Sequence, residues 1–292
     1  MSENKREAPQ TIQIGKSVPL SRRLGIIYLE KAMVVSKGQT LAYLNTESKD
    51  TGCYFSIPVA AVGGILLGPG TSITNKAIRT AAEHQCIVYF GDSGGVPLRA
   101  ASAPDRNPQG KIKQYQICLD AEKRLSAAKL LLEARNQFSS TAKSNNILPI
   151  KCFENAFTIN ELMGIEAAWA KAFYRRLASE NRTPWNGKKQ LGDKNSLIFL
   201  NHLAYQLADI AIFHLGLERD IGVLHGRTKG GALTYDLADT IKPVLCTVPA
   251  LANLNGQDVG RLKNSFIKDV IKTDAISFMT DTLSTIFKGE KP

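Results

Sequence analysis

The spacing of apolar residues changes near residue 103, and this change constrains the fold more than any other feature of the sequence. Before it, short apolar runs are separated by turn-forming Lys-Gly, Asp-Thr-Gly and Gly-Pro-Gly segments, a pattern typical of β-strands. One helix is predicted among the strands, with Thr74 as its N-cap and Asn75–His84 as its body. The predicted strands are Leu24–Leu29, Met33–Val35, Leu41–Leu44, Cys53–Val59, Ile65–Leu67 and Cys86–Phe90.

After the Pro-containing segment Ala103–Gly110, apolar residues recur every three or four positions, which predicts packed amphipathic helices. These helices are predicted over Tyr115–Phe138, Ile159–Ala178, Leu197–Leu217 and Val259–Phe287. The sequence therefore predicts an α+β protein, with a small β-rich N-terminal domain followed by an all-helical C-terminal domain. The predicted divisions are an N-terminal extension (1–23), the β-rich domain (24–102), a linker (103–111) and the helical domain (112–292).

The charge of the chain favours a polyanionic partner. Its 292 residues include 37 Lys and Arg against 26 Asp and Glu, a formal net charge of +11, which suits nucleic acid first and an anionic membrane second. The longest apolar stretch, Ile57–Gly68, contains Pro58 and is far shorter than the roughly 20 residues that a membrane span needs. Residues 1–20 contain no apolar block of the kind that directs secretion, so we expect a cytoplasmic protein.

The cysteines do not form a recognisable pattern. There are 5 of them, an odd number, and no pair has the CxxC spacing. We expect most of them to be buried as small apolar residues, rather than to bind zinc or to form a disulfide framework.

Glu166 is predicted to face the core of its helix. It lies at the centre of an apolar stripe formed by Ile159, Met163, Ala170, Phe173 and Leu177. A carboxylate in such a place costs several kcal/mol unless a cation, a metal ion or hydrogen-bond donors compensate its charge. Pairing with a nearby Arg, capping of a neighbouring helix and binding of a metal ion all remain open.

Two further carboxylates, Asp236 and Asp239, are three residues apart, so that a helix would turn them to nearly the same face. They could lie in solvent at a helix N-terminus, or they could share a cation. His225 precedes them and is followed by a Gly-rich segment with Arg227 and Lys229, which suit phosphate. A purely structural role for His225 is the alternative.

Taken together, these acids and the imidazole indicate a site for a hard divalent ion. Mg²⁺ and Mn²⁺ prefer carboxylates and accept one imidazole, whereas Zn²⁺ would require more His or Cys. With cations beside it, such a site suits phosphodiester chemistry. The sequence shows no P-loop, complete dinucleotide loop, HExxH or GxSxG motif, so nucleotide-dependent and serine-hydrolase functions are disfavoured.

A basic stretch, Lys171–Lys194, interleaves cations with aromatic residues and begins on the helix of Glu166. It predicts contact with phosphate, although a solvated helix face followed by a loop is the alternative. The predicted nucleic-acid contacts are Lys171, Arg175, Arg176, Lys188, Lys189, Arg227 and Lys229.

Three motifs, Leu162-Met-Gly-Ile-Glu-Ala-Ala, Gly222-Val-Leu-His and Leu233-Thr-Tyr-Asp-Leu-Ala-Asp, resemble those of the CRISPR-associated integrase family, Cas1. The resemblance covers nearly the whole chain. Four further segments resemble the branch found with type I-E systems: Ser17–Glu30, Leu67–Thr71, Val88–Gly91 and Thr183–Gly187.

The resemblance implies a β-rich domain that forms a homodimer and a helical catalytic domain that binds one Mg²⁺ or Mn²⁺ ion. It implies Glu166, His225 and Asp239 as metal ligands and catalytic residues, with Asp236 as an accessory catalytic acid. The implied activity is joining of the 3′-hydroxyls of short captured double-stranded DNA to a CRISPR repeat array by transesterification. The implied partner is the small ferredoxin-like subunit Cas2. A stand-alone branched-DNA endonuclease or resolvase and a non-catalytic DNA-binding scaffold are the alternatives.

Overall fold

A computed structural model describes residues 24–46, 53–91, 97–99, 108–142, 144, 150–182, 194–225, 230–252 and 259–288. The N-terminal part contains two four-stranded sheets, ordered β1-β5-β7-β8 and β4-β3-β2-β6. Helix α1 (Asn75–Glu83) lies between β6 and β7 along the chain. The strands are β1 (Leu24–Leu29), β2 (Ala32–Lys37), β3 (Thr40–Asn45), β4 (Tyr54–Ile57), β5 (Val62–Leu67), β6 (Ser72–Ile73), β7 (Ile87–Gly91) and β8 (Pro97–Arg99).

Strand β5 is the centre of the first sheet. All six of its residues are buried, and it pairs in parallel with β1 on one side and β7 on the other. Its run of apolar residues is typical of a strand that is covered on both faces. Ile65 packs in the core of the β-rich domain, whereas Leu66 packs in the core formed with the helices. The sheet therefore separates the two cores and contributes side chains to each.

The strand predicted over Cys53–Val59 is too long. The observed strand β4 ends at Ile57, because Pro58 has no backbone N–H to donate to a sheet and instead begins a 3₁₀ turn over Val59–Ala61. Helix α1 agrees with the prediction within one residue, and the hydroxyl of Thr74 accepts a hydrogen bond from the N–H of Ala77 at 3.3 Å, as expected of an N-cap.

The rest of the described chain is helical, which confirms the α+β class. One π-helical turn, Pro243–Thr247, connects α7 to α8. Helix α2 begins at Gln109, inside the range 103–111 predicted as linker. The helices are α2 (Gln109–Leu119), α3 (Ala121–Thr141), α4 (Ile150–Glu154), α5 (Ile159–Glu180), α6 (Lys194–His214), α7 (Ala232–Lys242), α8 (Val248–Ala252), α9 (Val259–Lys272) and α10 (Ala275–Lys288).

Two of the predicted long helices are each divided in two. The helix predicted over Tyr115–Phe138 breaks at Asp120, whose carboxylate caps α3 by accepting from the N–H groups of Glu122 and Lys123. The helix predicted over Val259–Phe287 breaks where Asp274 adopts a φ of 49°. Apolar periodicity continues across both breaks, so periodicity alone could not locate them.

Helix α6 joins the helical core to the first sheet. It ends at His214, three residues before the predicted end, because Gly216 adopts a left-handed φ of 67°. On the sheet side, a Cβ added at Gly63 would lie 2.9 Å from the side chain of Ile210. The hydroxyl of Tyr89 donates to the carbonyl of Gln206 at 3.3 Å. The absence of a side chain at Gly63 therefore allows α6 to approach the sheet closely.

Cysteine burial follows the expectation in part: Cys86, Cys118 and Cys246 are buried, whereas Cys53 and Cys152 are exposed, and all five are free thiols. Within the ranges that the structure covers, no helix is both long enough and apolar enough to cross a membrane.

We expect Gly63→Val to destabilise the protein by about 1–3 kcal/mol, because the added side chain would collide with Ile210 at the junction between α6 and the sheet. Gly164→Ala is the matched control: it lies within α5, and apart from its chain neighbours and the backbone of its own helix, no atom is within 4 Å of its added Cβ. Replacing a helical Gly by Ala should stabilise by up to about 1 kcal/mol. Urea denaturation of both variants provides the measurement, and equal effects would contradict the close packing at Gly63.

Candidate metal and nucleic-acid site

Helices α3, α5 and α7 and the loop before α7 bring the predicted acids and the imidazole into one region. Glu166 is on α5, Asp236 and Asp239 are on α7, and His225 is on the loop. Helix α5 begins at the predicted residue, where the hydroxyl of Thr158 accepts from the N–H of Glu161. The Glu161 carboxylate accepts in turn from the N–H of Phe157, the residue before the N-cap, at 2.7 Å, which ties the preceding chain to the first turn of the helix.

Asp236 fixes the loop to α7. Its buried carboxylate accepts hydrogen bonds from the backbone N–H groups of Val223 (2.7 Å), Leu224 (2.9 Å) and His225 (3.0 Å). A Cβ at position 222, just before these three residues, would lie 2.5 Å from the same carboxylate, so this position must be glycine. Asp236 therefore anchors the loop from within the core. The alternative that it lies in solvent at a helix N-terminus is wrong.

The opposite side of the loop is also anchored. Arg124 of α3 donates to the carbonyl oxygens of Val223 (2.8 Å) and Leu224 (3.4 Å). The loop thus contacts α3 through its carbonyl groups and α7 through its N–H groups, so both sets of backbone polar groups have partners.

His225 is oriented by the same carboxylate. Its Nδ1 lies 2.5 Å from an oxygen of Asp236, which leaves Nε2 as the ring nitrogen that could bind an ion. The hydrogen bond that Nδ1 donates to Asp236 raises the pKa of His225 above its usual 6.5, burial opposes this, and the charges of Asp236, Asp239 and Glu166 raise the pKa further.

Asp239 is paired with a cation. Its carboxylate lies 2.5 Å from Nζ of Lys242, and the same ammonium donates to the hydroxyl of Tyr205 at 3.3 Å. Burial alone would raise the pKa of Asp239, but the charges of Lys242 and Arg135 outweigh it and hold that pKa below its usual value. For Lys242, burial would lower the pKa, yet the attraction of Asp239 raises it above the usual range. The pair is therefore fully ionised at neutral pH.

Glu166 is also paired with a cation, as one of the alternatives predicted. Nη1 of Arg135 lies 3.0 Å from Oε1 of Glu166, and the guanidinium lies 4.3 Å from the ring centre of Trp169. The side chain of Arg135 is 8% exposed and that of Glu166 is 18% exposed. Of the apolar stripe around Glu166, Ala170, Phe173 and Leu177 are buried and Ile159 packs against the core, whereas Met163 is 39% exposed.

The donor set suits a divalent ion, but the side chains as placed do not form a binding group for one. Two carboxylates and a neutral imidazole nitrogen are ligands that Mg²⁺ or Mn²⁺ accepts. In the portion of the chain that the structure covers, no three His, Cys, Asp or Glu side chains are arranged to hold an ion. Glu166 and Asp239 each face a cation instead. The assignment of metal ligands therefore stays a prediction.

A small cavity of about 10 Å³ lies beside this cluster, lined by Leu131, Leu132, Arg135, Leu224, Asp236, Asp239 and Thr240. Its volume is close to the minimum that one water molecule needs. The walls include two carboxylates and a guanidinium, so the cavity is polar enough to hold water.

Of the predicted nucleic-acid contacts, Lys171, Arg175 and Arg176 are all exposed on α5. Arg176 also lies 3.7 Å from Glu180 and 5.8 Å from the ring of Phe173. The other predicted contacts, Lys188, Lys189, Arg227 and Lys229, lie outside the described residues. The helix that carries Glu166 thus exposes three cations, together with the acids Glu161 and Glu180.

Two cations of the site were missed by the sequence reasoning. Lys242 lies three residues after Asp239, and this helical spacing could have predicted the pair. Arg135 lies 31 residues before Glu166 on another helix, and no local pattern connects the two.

A family model, "CRISPR associated protein Cas1", matches residues 26–282. The chain belongs to the Cas1 family. The Cas1 endonuclease of Pseudomonas aeruginosa (strain UCBPP-PA14) is 29% identical, over 93% of this chain and 95% of the relative. The Cas1 endonuclease of Pectobacterium atrosepticum is 28% identical, over 93% of this chain and 94% of the relative.

Solved structures of Cas1 proteins share the fold. The crystal structure of TtCas1 superposes with a TM-score of 0.74 at 24% identity, covering 91% of this chain and 98% of that one. A casposase bound to an integration product gives a TM-score of 0.68 at 16% identity, covering 92% of each chain. The order of β-rich and helical parts in this Cas1-family chain is therefore that of known structures.

The raised pKa of His225 predicts a pH-dependent contribution to stability. Because the folded pKa lies above 6.5, the pair of protonated His225 with Asp236 stabilises fully below pH 6.5 and is lost as the pH rises through the folded value. The free energy of unfolding of the wild type relative to His225→Gln should therefore be larger at pH 6 than at pH 8.5. Urea denaturation with a chelator present measures this, and a difference independent of pH would contradict it.

Proposed function

We propose that this Cas1-family chain is a metal-dependent DNA integrase of CRISPR adaptation. The observation that carries the proposal is that Asp236 fixes the loop of His225 to α7, the helix of Asp239, while Arg135 pairs with Glu166 and lines the same small cavity as Asp239. The names of its relatives, CRISPR-associated endonucleases, support action on nucleic acid. A casposase bound to an integration product, which shares the fold, supports strand joining.

In this proposal Glu166, His225 through Nε2, and Asp239 would hold one Mg²⁺ or Mn²⁺ ion. When bound, the ion would lower the pKa of an attacking 3′-hydroxyl and stabilise negative charge on the phosphate. Asp236 acts through His225, because it fixes the ring at Nδ1 and leaves Nε2 as the nitrogen that would bind an ion. The exposed cations of α5 hold the DNA backbone. In the joining step the 3′-oxygen of the captured DNA forms a bond to a phosphorus of the repeat, and the former 3′-oxygen of the repeat leaves with a proton.

The partners follow from the same proposal: double-stranded DNA with 3′ ends, CRISPR repeat DNA, a second copy of this chain through the β-rich domain, and the small ferredoxin-like subunit Cas2. One structure with the same fold is a TtCas1-DNA complex, and another is a Cas6-RT-Cas1–Cas2 complex. We propose action in the cytoplasm, where the chain would meet DNA. Membership of the type I-E branch stays a prediction from the motifs; the relative from Escherichia coli K12 is 26% identical over 77% of this chain.

A second candidate is a branched-DNA endonuclease or resolvase that uses the same residues with water as the nucleophile. The word endonuclease in the names of the relatives favours it. The metal-free scaffold is the third candidate, and the pairing of both carboxylates with cations favours it. Joined and hydrolysed products, each measured with and without Mn²⁺, separate the three.

Glu166→Gln should bind duplex DNA within a few-fold of the wild type but lose strand joining and disintegration by 10²-fold or more, because it removes the charge that an ion needs while keeping the size of the side chain. Joining of a labelled short duplex to a plasmid-borne repeat, with Cas2 present, measures this. Glu154→Gln is the control, since Glu154 is an exposed acid on α4. Equal joining by Glu166→Gln and the wild type would remove the catalytic assignment and leave the scaffold.

Arg175→Gln should weaken binding to all duplex sequences about equally and reduce the slope of log K against log salt by roughly 0.9, as expected for one lost phosphate contact. Fluorescence anisotropy at several salt concentrations measures the slope. Arg79→Gln, an exposed cation on α1, should leave the slope unchanged. An unchanged slope in Arg175→Gln would show that α5 does not contact the DNA backbone through this residue.

A further inference from the structure

The proposed metal site contains its own cations. Three carboxylates, those of Glu166, Asp236 and Asp239, are accompanied by two cations, Arg135 and Lys242. With the imidazole neutral, as a metal ligand must be, the formal charge of this cluster is a single negative charge. A site made of three unpaired carboxylates and a neutral imidazole would carry a formal charge of three negative charges.

Arg135 is built into the core and cannot simply move into solvent. Its guanidinium lies against Trp169, whose ring stacks on that of Phe173 with 5.1 Å between centres and 10° between planes. Its side chain is only 8% exposed. Removing a buried cation from its carboxylate costs several kcal/mol, so Arg135 remains beside Glu166 whichever other ligands are bound.

Lys242 is held in a similar way. Its side chain is 17% exposed, its ammonium contacts Asp239 at 2.5 Å, and it lies 5.0 Å from the ring centre of Tyr205. Both cations are therefore fixed charges, and a divalent ion that enters the cluster experiences repulsion from them as well as attraction to the carboxylates.

A divalent ion would change the formal charge of the cluster from one negative to one positive, in a partly buried place where charge is costly. A DNA phosphate brings one negative charge and restores neutrality. The ion and the phosphate therefore stabilise each other in the cluster, because the charge of either one alone would not be fully neutralised there.

We propose that Arg135 and Lys242 make metal binding depend on DNA, so that the site binds a divalent ion firmly only together with a DNA phosphate. This inference rests on the proposed function, because it takes Glu166, His225 and Asp239 as the metal ligands. Its consequence is that the protein without DNA carries little bound metal. The coupling is reciprocal, since an ion that binds better with DNA must strengthen DNA binding by the same factor.

The first measurement uses the wild-type protein. Mn²⁺ is titrated, and the free ion is followed by its electron paramagnetic resonance signal, with and without a short duplex. Glu166→Gln with the same duplex provides the baseline for Mn²⁺ bound by the DNA itself. We expect the duplex to raise the affinity for Mn²⁺ at least tenfold, and Mn²⁺ to raise the affinity for the duplex equally. Equal Mn²⁺ affinities with and without DNA would overturn the inference.

The second measurement uses Arg135→Met, which removes the charge but keeps an unbranched side chain that can pack on Trp169. We expect it to bind Mn²⁺ at least tenfold more tightly than the wild type without DNA, and the effect of DNA to shrink correspondingly. Lys123→Met is the control, since this exposed cation lies on the same helix, twelve residues or roughly 18 Å away. Weaker or unchanged binding by a folded Arg135→Met would overturn the role of Arg135.

The metal site and its coupling to DNA can be disproved separately. Binding of Mn²⁺ that Glu166→Gln abolishes, but that does not respond to DNA, would overturn the inference and leave the metal site standing. Absence of any binding above the Glu166→Gln baseline, with or without DNA, would overturn the metal site and with it the proposed function. If Arg135→Met does not fold, the wild-type titration still decides the coupling.

Discussion

The arrangement of the candidate site depends on one buried carboxylate. Asp236 accepts three backbone hydrogen bonds from residues 223–225 and contacts Nδ1 of His225, and it does so from within α7. Hydrogen bonds to a charged group contribute about 1.5–3 kcal/mol each, so this one side chain can hold a loop that has no regular secondary structure. Asp239 lies on the same helix, and the anchoring therefore sets the position of His225 relative to Asp239.

Pairing with cations and binding of a metal ion are compatible roles for the same acids. Both Glu166 and Asp239 face a fixed cation, which explains how carboxylates persist in a partly buried cluster. The exposed fractions of these two side chains, 18% and 24%, leave each within reach of solvent and of a ligand. The same pairs that stabilise the folded protein would thus determine how strongly the site attracts positive and negative ligands.

Periodicity and capping chemistry predicted much of the fold, but not its breaks. The helix over Asn75–Glu83 follows from the cap at Thr74, and the start of α5 at Ile159 agrees with the apolar periodicity. The breaks at Asp120 and Asp274 were missed, because the hydrophobic pattern continues on both sides of each. In the site, the motifs singled out Asp236 and His225, which are in contact, whereas the set of metal ligands stays a prediction. Arg135 could not be predicted, since its contact with Glu166 depends on how α3 packs against α5.

The contact between Gly63 and Ile210 has a consequence for sequence variation. A Cβ at position 63 would lie 2.9 Å from Ile210, so a larger residue in the strand requires a smaller one on α6. Substitutions at these two positions should therefore be correlated among related chains, and each should be disfavoured in the absence of the other. A covarying pair of this kind would indicate that close packing of α6 against the sheet has been conserved as the family diverged.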